Sequence, residues 1–245
     1  MKRIPFLLIT FLCHQLAAQT LQLHYDARHT IDRKNNTKNF TTVQFEYFKQ
    51  LDTGKTSVKP GAFFLKLQAD MLGDKANIGK YYMQVSQEVR FWRPKIFINL
   101  QYSGGLGVTE PKQYSYYIQN AYQAGISYPF KIGDAYFSSV LNYKYVAYKK
   151  PSNDFWYTFY FYKGLMTYKA EFAGDFSFGT ENKNHGDDFT KTLHGKRFLF
   201  FAEPQFWYKI NKTVSFGTKL NVYYHILTTE DKTQAYPTLG IRAKL

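Results

Sequence analysis

Cysteine is almost absent from this sequence. The one copy, Cys13, lies inside the first apolar stretch, and no second thiol exists among the 245 residues. A disulfide framework is therefore excluded. A lipidated N-terminus would need cysteine at a cleavage point after a small residue, but Cys13 follows Phe11 and Leu12. Long apolar runs are missing as well. Beyond the opening segment no stretch of 18 apolar residues occurs, which excludes transmembrane helices there. Acidic residues are scarce, 18 against 32 lysines and arginines, for a formal net charge of +14. Such an excess first suggests nucleic acid. Here, however, the basic residues are scattered through polar stretches, as at Arg33, Lys34 and Lys38 or Lys149 and Lys150. No basic helical stripe forms. These charges are expected to meet anionic lipid headgroups or water, and no nucleic-acid partner is expected.

Aromatic residues, by contrast, make up 20% of the chain, with 23 Phe and 22 Tyr, while mean hydropathy is only −0.43. That mixture suits strands with one lipid-facing and one wet side better than it suits a packed globular core. Two hundred and forty-five residues fit one barrel of ~8–12 strands, each ~9–11 residues across a bilayer.

The opening residues carry an export pattern. Lys2 and Arg3 precede an apolar stretch from Ile4 to Cys13, and Leu16-Ala17-Ala18 ends on small residues before Gln19. This is the layout of a secretory signal peptide, and its apolar part is too short to span a bilayer. Residues 1–18 are read as the signal peptide and 19–245 as the exported domain.

Period-two alternation recurs after it. In Leu21-Gln22-Leu23-His24-Tyr25-Asp26-Ala27-Arg28 the apolar and polar residues separate onto two faces of a strand, whereas a helix would scatter them. The same sorting holds in segments beginning near 42, 64, 81, 96, 166, 214 and 237, with Gln87 out of phase. Less regular segments at 115–128, 135–148, 155–162 and 198–210 bring the count to about twelve. Pro204 removes a ladder donor and suggests a bulge. Short connections at Arg93-Pro94-Lys95, Lys163-Gly164 and Asn211-Lys212-Thr213 fall on one end. Longer ones at 29–39, 73–79, 104–114, 149–154, 179–197 and 227–235 fall on the other. Only the connection at 50–61 is long for its side. The expected fold is all-β: a transmembrane antiparallel up-and-down β-barrel of the outer membrane. A soluble sandwich would also alternate, but it would not need so many Phe and Tyr on its outer faces.

These segments resemble a Bacteroidota outer-membrane family of unknown function, similar to the nucleoside-specific channel-forming porins (Tsx-like). The resemblance is carried by Leu21-Gln22-Leu23-His24-Tyr25-Asp26, Phe40-Thr41-Thr42-Val43 and Glu88-Val89-Arg90-Phe91-Trp92. It continues in Gln101-Tyr102-Ser103-Gly104-Gly105, Phe201-Ala202-Glu203-Pro204-Gln205-Phe206-Trp207-Tyr208 and Tyr236-Pro237-Thr238-Leu239-Gly240. It spans nearly the whole exported chain. Two departures stand out: Met83-Gln84-Val85 where the family pattern has Trp-Glu-Ile, and a terminal Leu245 where such barrels commonly end on an aromatic. The resemblance implies a channel for nucleosides.

Parity places charges of both signs on the inward faces, among them His24, Asp26, Glu46, Lys66, Asp70, Lys144, Asp175, Lys219, His225, Arg242 and Lys244. They can pair and fill the lumen. Beside aromatics they can instead receive a flat base with a sugar. The candidate solute-binding residues are Phe64, Tyr82, Glu88, Arg90, Tyr160, Lys169, Glu171, Glu203 and Asn221. The expected function is passive uptake of small polar solutes, by a monomer surrounded by outer-membrane lipids and inserted by the assembly machinery. A plugged structural or accessory barrel of an uptake complex is the alternative. A lipid-modifying enzyme is a weaker one, since no His-x-Ser-Asn-type string occurs. His185-Gly186-Asp187-Asp188 reads as a flexible polar turn. No cofactor or metal is expected. Sequencing the N-terminus of membrane-extracted protein should begin at Gln19; a read from Met1 would overturn the export reading.

Overall fold

Alternation turns into pleat along the whole barrel. The structure, a computed structural model, describes residues 17–50, 57–109 and 114–245. The strands are β1 (Ala17–Asp26), β2 (Phe40–Gln50), β3 (Lys59–Asp70), β4 (Lys80–Arg90) and β5 (Phe97–Val108). Next come β6 (Ser115–Ile132), β7 (Ala135–Val146), β8 (Ser152–Leu165) and β9 (Ala170–Asn182). The last are β10 (Lys196–Ala202), β11 (Gln205–Lys209), β12 (Val214–Tyr224) and β13 (Thr233–Lys244). Apart from β10 and β11, each pairs antiparallel with its sequence neighbour, and β13 returns to β1 from Thr20↔Lys244 to Asp26↔Thr238. The sheet is closed. Segments β10 and β11 share one position between β9 and β12, so the barrel has twelve strands, as expected. The signal-peptide reading falls mostly on residues outside the described ones; Ala17 and Ala18 open β1.

The burial pattern inverts that of a soluble protein. Along β1, Leu21, Leu23 and Tyr25 are 43%, 50% and 51% exposed, while Gln22, His24 and Asp26 are at most 1% exposed. The outer surface is apolar and aromatic, and the buried set is dominated by amides, hydroxyls and charges. Only a lipid environment makes both faces favourable. Gln87, out of phase in sequence, satisfies its amide by donating to the Glu88 carbonyl at 2.6 Å.

Pro204 corrects one expectation. The pairs Ala202↔Phe176 and Gln205↔Ala173 keep one offset on the β9 side, and Ala202↔Val222 and Gln205↔Lys219 keep one on the β12 side. No residue is inserted, so no bulge forms. The ring is tolerated because the facing residue is Gly174, at φ +148°, where a Cβ would lie 2.4 Å from the Glu203 carbonyl and 2.8 Å from Pro204. Only the missing proline donor interrupts the ladder; the Glu203 N–H still reaches Asp175 and the Leu220 N–H still reaches Pro204.

The bulges lie elsewhere. Register shifts occur between Pro60 and Phe63 against β4, and between Gly105 and Leu106 against β6. At the first, Gly61 lets β3 approach Glu88 and Phe97, since a Cβ there would sit 2.7 Å from both.

The expected Lys163-Gly164 turn is also corrected. Strands β8 and β9 continue to the pair Leu165↔Ala170, and residues 166–169 make the turn. Met166, Thr167 and Tyr168 all have positive φ, and the Tyr168 ring lies over Gly164, where a Cβ would meet it at 2.3 Å. The glycine is a seat for that ring, not the turn. On the same end Gly133-Asp134 joins β6 to β7 with φ +60° at Gly133, as a type II′ hairpin requires. On the other end β9 and β10 extend to Asn182 and Lys196, leaving a shorter loop than 179–197.

A closed ladder has no edge from which to unzip. The purified protein should show strand-dominated far-ultraviolet circular dichroism, and it should migrate differently on gels before and after boiling. A helical spectrum, or one mobility in both states, would contradict this fold.

Candidate functional site

Closure brings the inward residues of all the strands around one cavity of about 1610 Å³. Its lining runs from Lys149, Asp187 and Leu227 in the long loops to Gln50, Pro129 and Arg242 at the end with the short turns. Six of the nine candidate residues line it: Phe64, Tyr82, Glu88, Tyr160, Glu203 and Asn221.

The middle of the lumen is crossed by side chains from opposite walls. Lys66 on β3 donates to both carboxylate oxygens of Glu203 at 2.9 Å, and Lys219 on β12 stands 3.3 Å from the same carboxylate. Gln205 adds a third donor at 3.0 Å, and Lys219 also donates to Gln44 on β2 at 2.9 Å. Desolvating such ions costs several kcal/mol each, so the pairing is what keeps them there. A second span links Gln84 on β4 to the Tyr160 hydroxyl on β8 at 3.3 Å, with the Tyr82 hydroxyl 3.4 Å from Gln84. The Tyr82 and Tyr160 rings thus meet at one polar bridge.

At the loop end, Glu181 collects Lys144 at 3.6 Å, His185 at 3.1 Å and Arg197 at 3.2 Å. The Lys144 ammonium lies 4.3 Å from the Trp156 ring centre. His185 stacks on Tyr148 at 4.1 Å, and its carbonyl accepts from the Lys150 N–H. The segment read as a flexible polar turn is folded against the mouth; the Asp187 carboxylate caps it by accepting from the N–H groups of Phe189 and Thr190. Loop 27–39 is fastened in turn by the Tyr236 hydroxyl donating to Asp32. Donation from Asn35, with further help from Tyr236 and nearby Lys232, outweighs the cost of desolvation and holds the Asp32 carboxyl below its usual range.

Three candidates are placed differently from expectation. Lys169 lies in the exposed 166–169 turn, because β9 begins one residue later. Arg90 donates to the Arg93 and Pro94 carbonyls, with its guanidinium 5.1 Å from the Phe97 ring centre, so it fastens the β4–β5 turn. Glu171 does not line the cavity; it is held by Arg242 and by Lys209 at the short-turn end. There Arg242 also lies over Trp207, which is fully buried and edge-on to His24. Lys244, read as inward, stands exposed at the end of β13, two residues beyond cavity-lining Arg242. Glu88 lines the lumen but has a structural task, accepting the Ala62 N–H at 3.0 Å in the β3 bulge. Alternation indicates which residues face inward, but it contains no signal for partners with four strands between them, such as Lys66 and Glu203.

Among the described residues no histidine has a serine hydroxyl within hydrogen-bond range, and no cluster of three potential metal ligands occurs.

Residues 18–245 match the family described as "Domain of unknown function (DUF5020)". The chain belongs to that family. No curated protein matches it. Among solved structures, the NanC porin is similar, with a TM-score of 0.55 at 9% identity over 93% of this chain and 100% of that one. The KdgM porin, solved in complex with disordered oligogalacturonate, gives 0.47 at 6% identity over 94% and 99%. Outer membrane phospholipase A from Escherichia coli gives 0.47 at 13% identity over 93% and 95%. The NanC likeness shows a shared fold. With the apolar outer face, the closed barrel points to the outer membrane.

Replacing Glu203 with Gln removes the one charge that serves both Lys66 and Lys219. The variant should lose about 3 kcal/mol of stability, read as a lower urea midpoint of unfolding in detergent micelles. An unchanged midpoint would show that the cross-lumen pair contributes nothing.

Proposed function

We propose that this barrel is a passive outer-membrane channel for small polar solutes without net charge, nucleosides among them. One observation carries the reading: the described lining of the cavity holds eight lysines and arginines and eight aspartates and glutamates, although the whole chain is +14. A balanced lumen favours neither ion sign, and it offers hydrogen-bonding groups at every height. The cavity also exceeds the ~300–1,000 Å³ of an ordinary ligand pocket and is lined by residues from both ends.

The nucleoside part rests on aromatics. Tyr82 and Tyr160 stand beside the Gln84 amide, with Phe64, Trp156 and Phe201 also lining the cavity. A stacked base gains ~1–3 kcal/mol per aromatic, while amides and carboxylates suit sugar hydroxyls. The resemblance to the Tsx-like porins supports the same solute class. The Lys66–Glu203 and Gln84–Tyr160 spans favour a second reading, a barrel closed at its middle that serves as an accessory.

Single-channel recording in planar bilayers distinguishes these readings. The channel reading expects an open current with little preference between cations and anions, partly blocked by added nucleoside. Tyr160→Ala should weaken that block by about fivefold or more. An open current that nucleosides never block would remove that solute and leave a general pore. A silent bilayer would favour the closed barrel.

A further inference from the structure

The lumen is balanced, so the excess positive charge lies elsewhere, and much of it lies on one rim. On the end with the short turns, Arg93 and Lys95 lie in the β4–β5 turn, Lys131 and Lys163 flank the β6–β7 hairpin, Lys212 is in the β11–β12 turn and Lys244 is near the C-terminus. All six are exposed. Lys169 in the β8–β9 turn is exposed too. Against them the described residues of this rim present one exposed carboxylate, Asp134, which stands 3.5 Å from Lys163. Glu171, the other acid here, is already committed to Arg242 and Lys209. The loop end is mixed by comparison, with Asp32, Asp74, Asp188, Glu230 and Asp231 set among its lysines.

Between these cations stand apolar and aromatic side chains. Phe91, Ile132, Met166 and Ile210 are each more than half exposed. The Lys131 ammonium sits 4.5 Å from the centre of the Tyr136 ring, its register partner on β7, which also lines the mouth of the cavity. Cations interleaved with aromatics and aliphatics match the boundary between acyl chains and headgroups. The charges occur on successive turns around the barrel rather than on one side. That distribution fits a surrounding leaflet better than a docked protein, which would need one contiguous patch.

We propose that this basic rim is a binding belt for anionic phospholipid headgroups of the leaflet facing the short turns, the periplasmic leaflet in outer-membrane barrels. Lysine and arginine ammonium and guanidinium groups meet lipid phosphates there, and the exposed apolar tips enter the acyl boundary. The belt holds the barrel at one depth and enriches anionic lipid around that end. The proposal rests on the barrel lying in a membrane, which the boiling-dependent mobility tests separately.

Trp92, in the β4–β5 turn of this rim and 39% exposed, is a built-in reporter. The other two tryptophans, Trp156 and Trp207, face the lumen and the buried interior. The barrel is reconstituted in phosphatidylcholine vesicles containing either brominated phosphatidylglycerol or brominated phosphatidylcholine, and the quenching of tryptophan fluorescence is compared. The anionic lipid should quench at a severalfold lower mole fraction, each charge in reach of a headgroup contributing up to about fivefold. A variant carrying Arg93→Gln, Lys95→Gln, Lys163→Gln and Lys212→Gln, with boiling-dependent mobility intact, should lose most of that preference. Added salt should lower it in the wild type as well. Equal quenching by both lipids in the wild type would overturn the proposal and leave an acidic periplasmic protein as the partner to seek. A variant that keeps the full preference would overturn the role of these residues.

Discussion

Everything in this barrel depends on the demand that no backbone N–H or C=O be left unpaired in hydrocarbon. The β1–β13 seam meets that demand globally, and each interruption meets it locally. At Pro204 the neighbouring Glu203 and Leu220 N–H groups keep their partners across Asp175 and Pro204. At the β3 bulge the freed Ala62 N–H turns to the Glu88 carboxylate. Glycines appear where the ladder would otherwise collide: Gly174 opposite Pro204, and Gly61 beside Glu88 and Phe97.

Closing the sheet imposes a second demand on the enclosed face. Polar side chains that were strangers in sequence become neighbours in a confined space, and burying an unpartnered charge is costly. The outcome is a set of shared carboxylates. Glu203 serves two lysines, Glu181 serves Lys144, Arg197 and His185, and Glu171 serves Arg242 and Lys209. With few acids in the chain, these three carboxylates each answer more than one cation. The surplus cations are left to the loops and the rim, where water or lipid can solvate them.

Much of this was legible in the sequence because a strand's facing is a local property. Parity alone put Lys66, Tyr82, Tyr160 and Glu203 on the inner wall, and all four line the cavity. Errors arose where a residue has two local meanings. Gly164 signals a turn, yet its missing Cβ accommodates the Tyr168 ring, and the true turn lies further on, taking Lys169 out of the lumen. Pro204 signals a bulge, yet a glycine on the facing strand accommodates it without a register change. Cross-lumen partnerships were not legible, since they depend on strand tilt and stagger around the whole circumference. Arg90 and Glu171 were placed inward correctly in sense, but their partners made them fasteners instead of lining.

The interleaving of apolar and polar residues also bears on how such a chain travels. In the strand Leu21–Asp26 no two apolar residues are adjacent, and the lipid-facing stripe exists only once the backbone is pleated. An inner membrane that arrests chains by contiguous hydrophobicity would find no stop-transfer segment beyond the opening stretch. The affinity for a bilayer is thus latent in the unfolded polypeptide and becomes manifest on folding. A chain that must cross one membrane before settling in another has its destination encoded in its conformation, with no single segment to give it away.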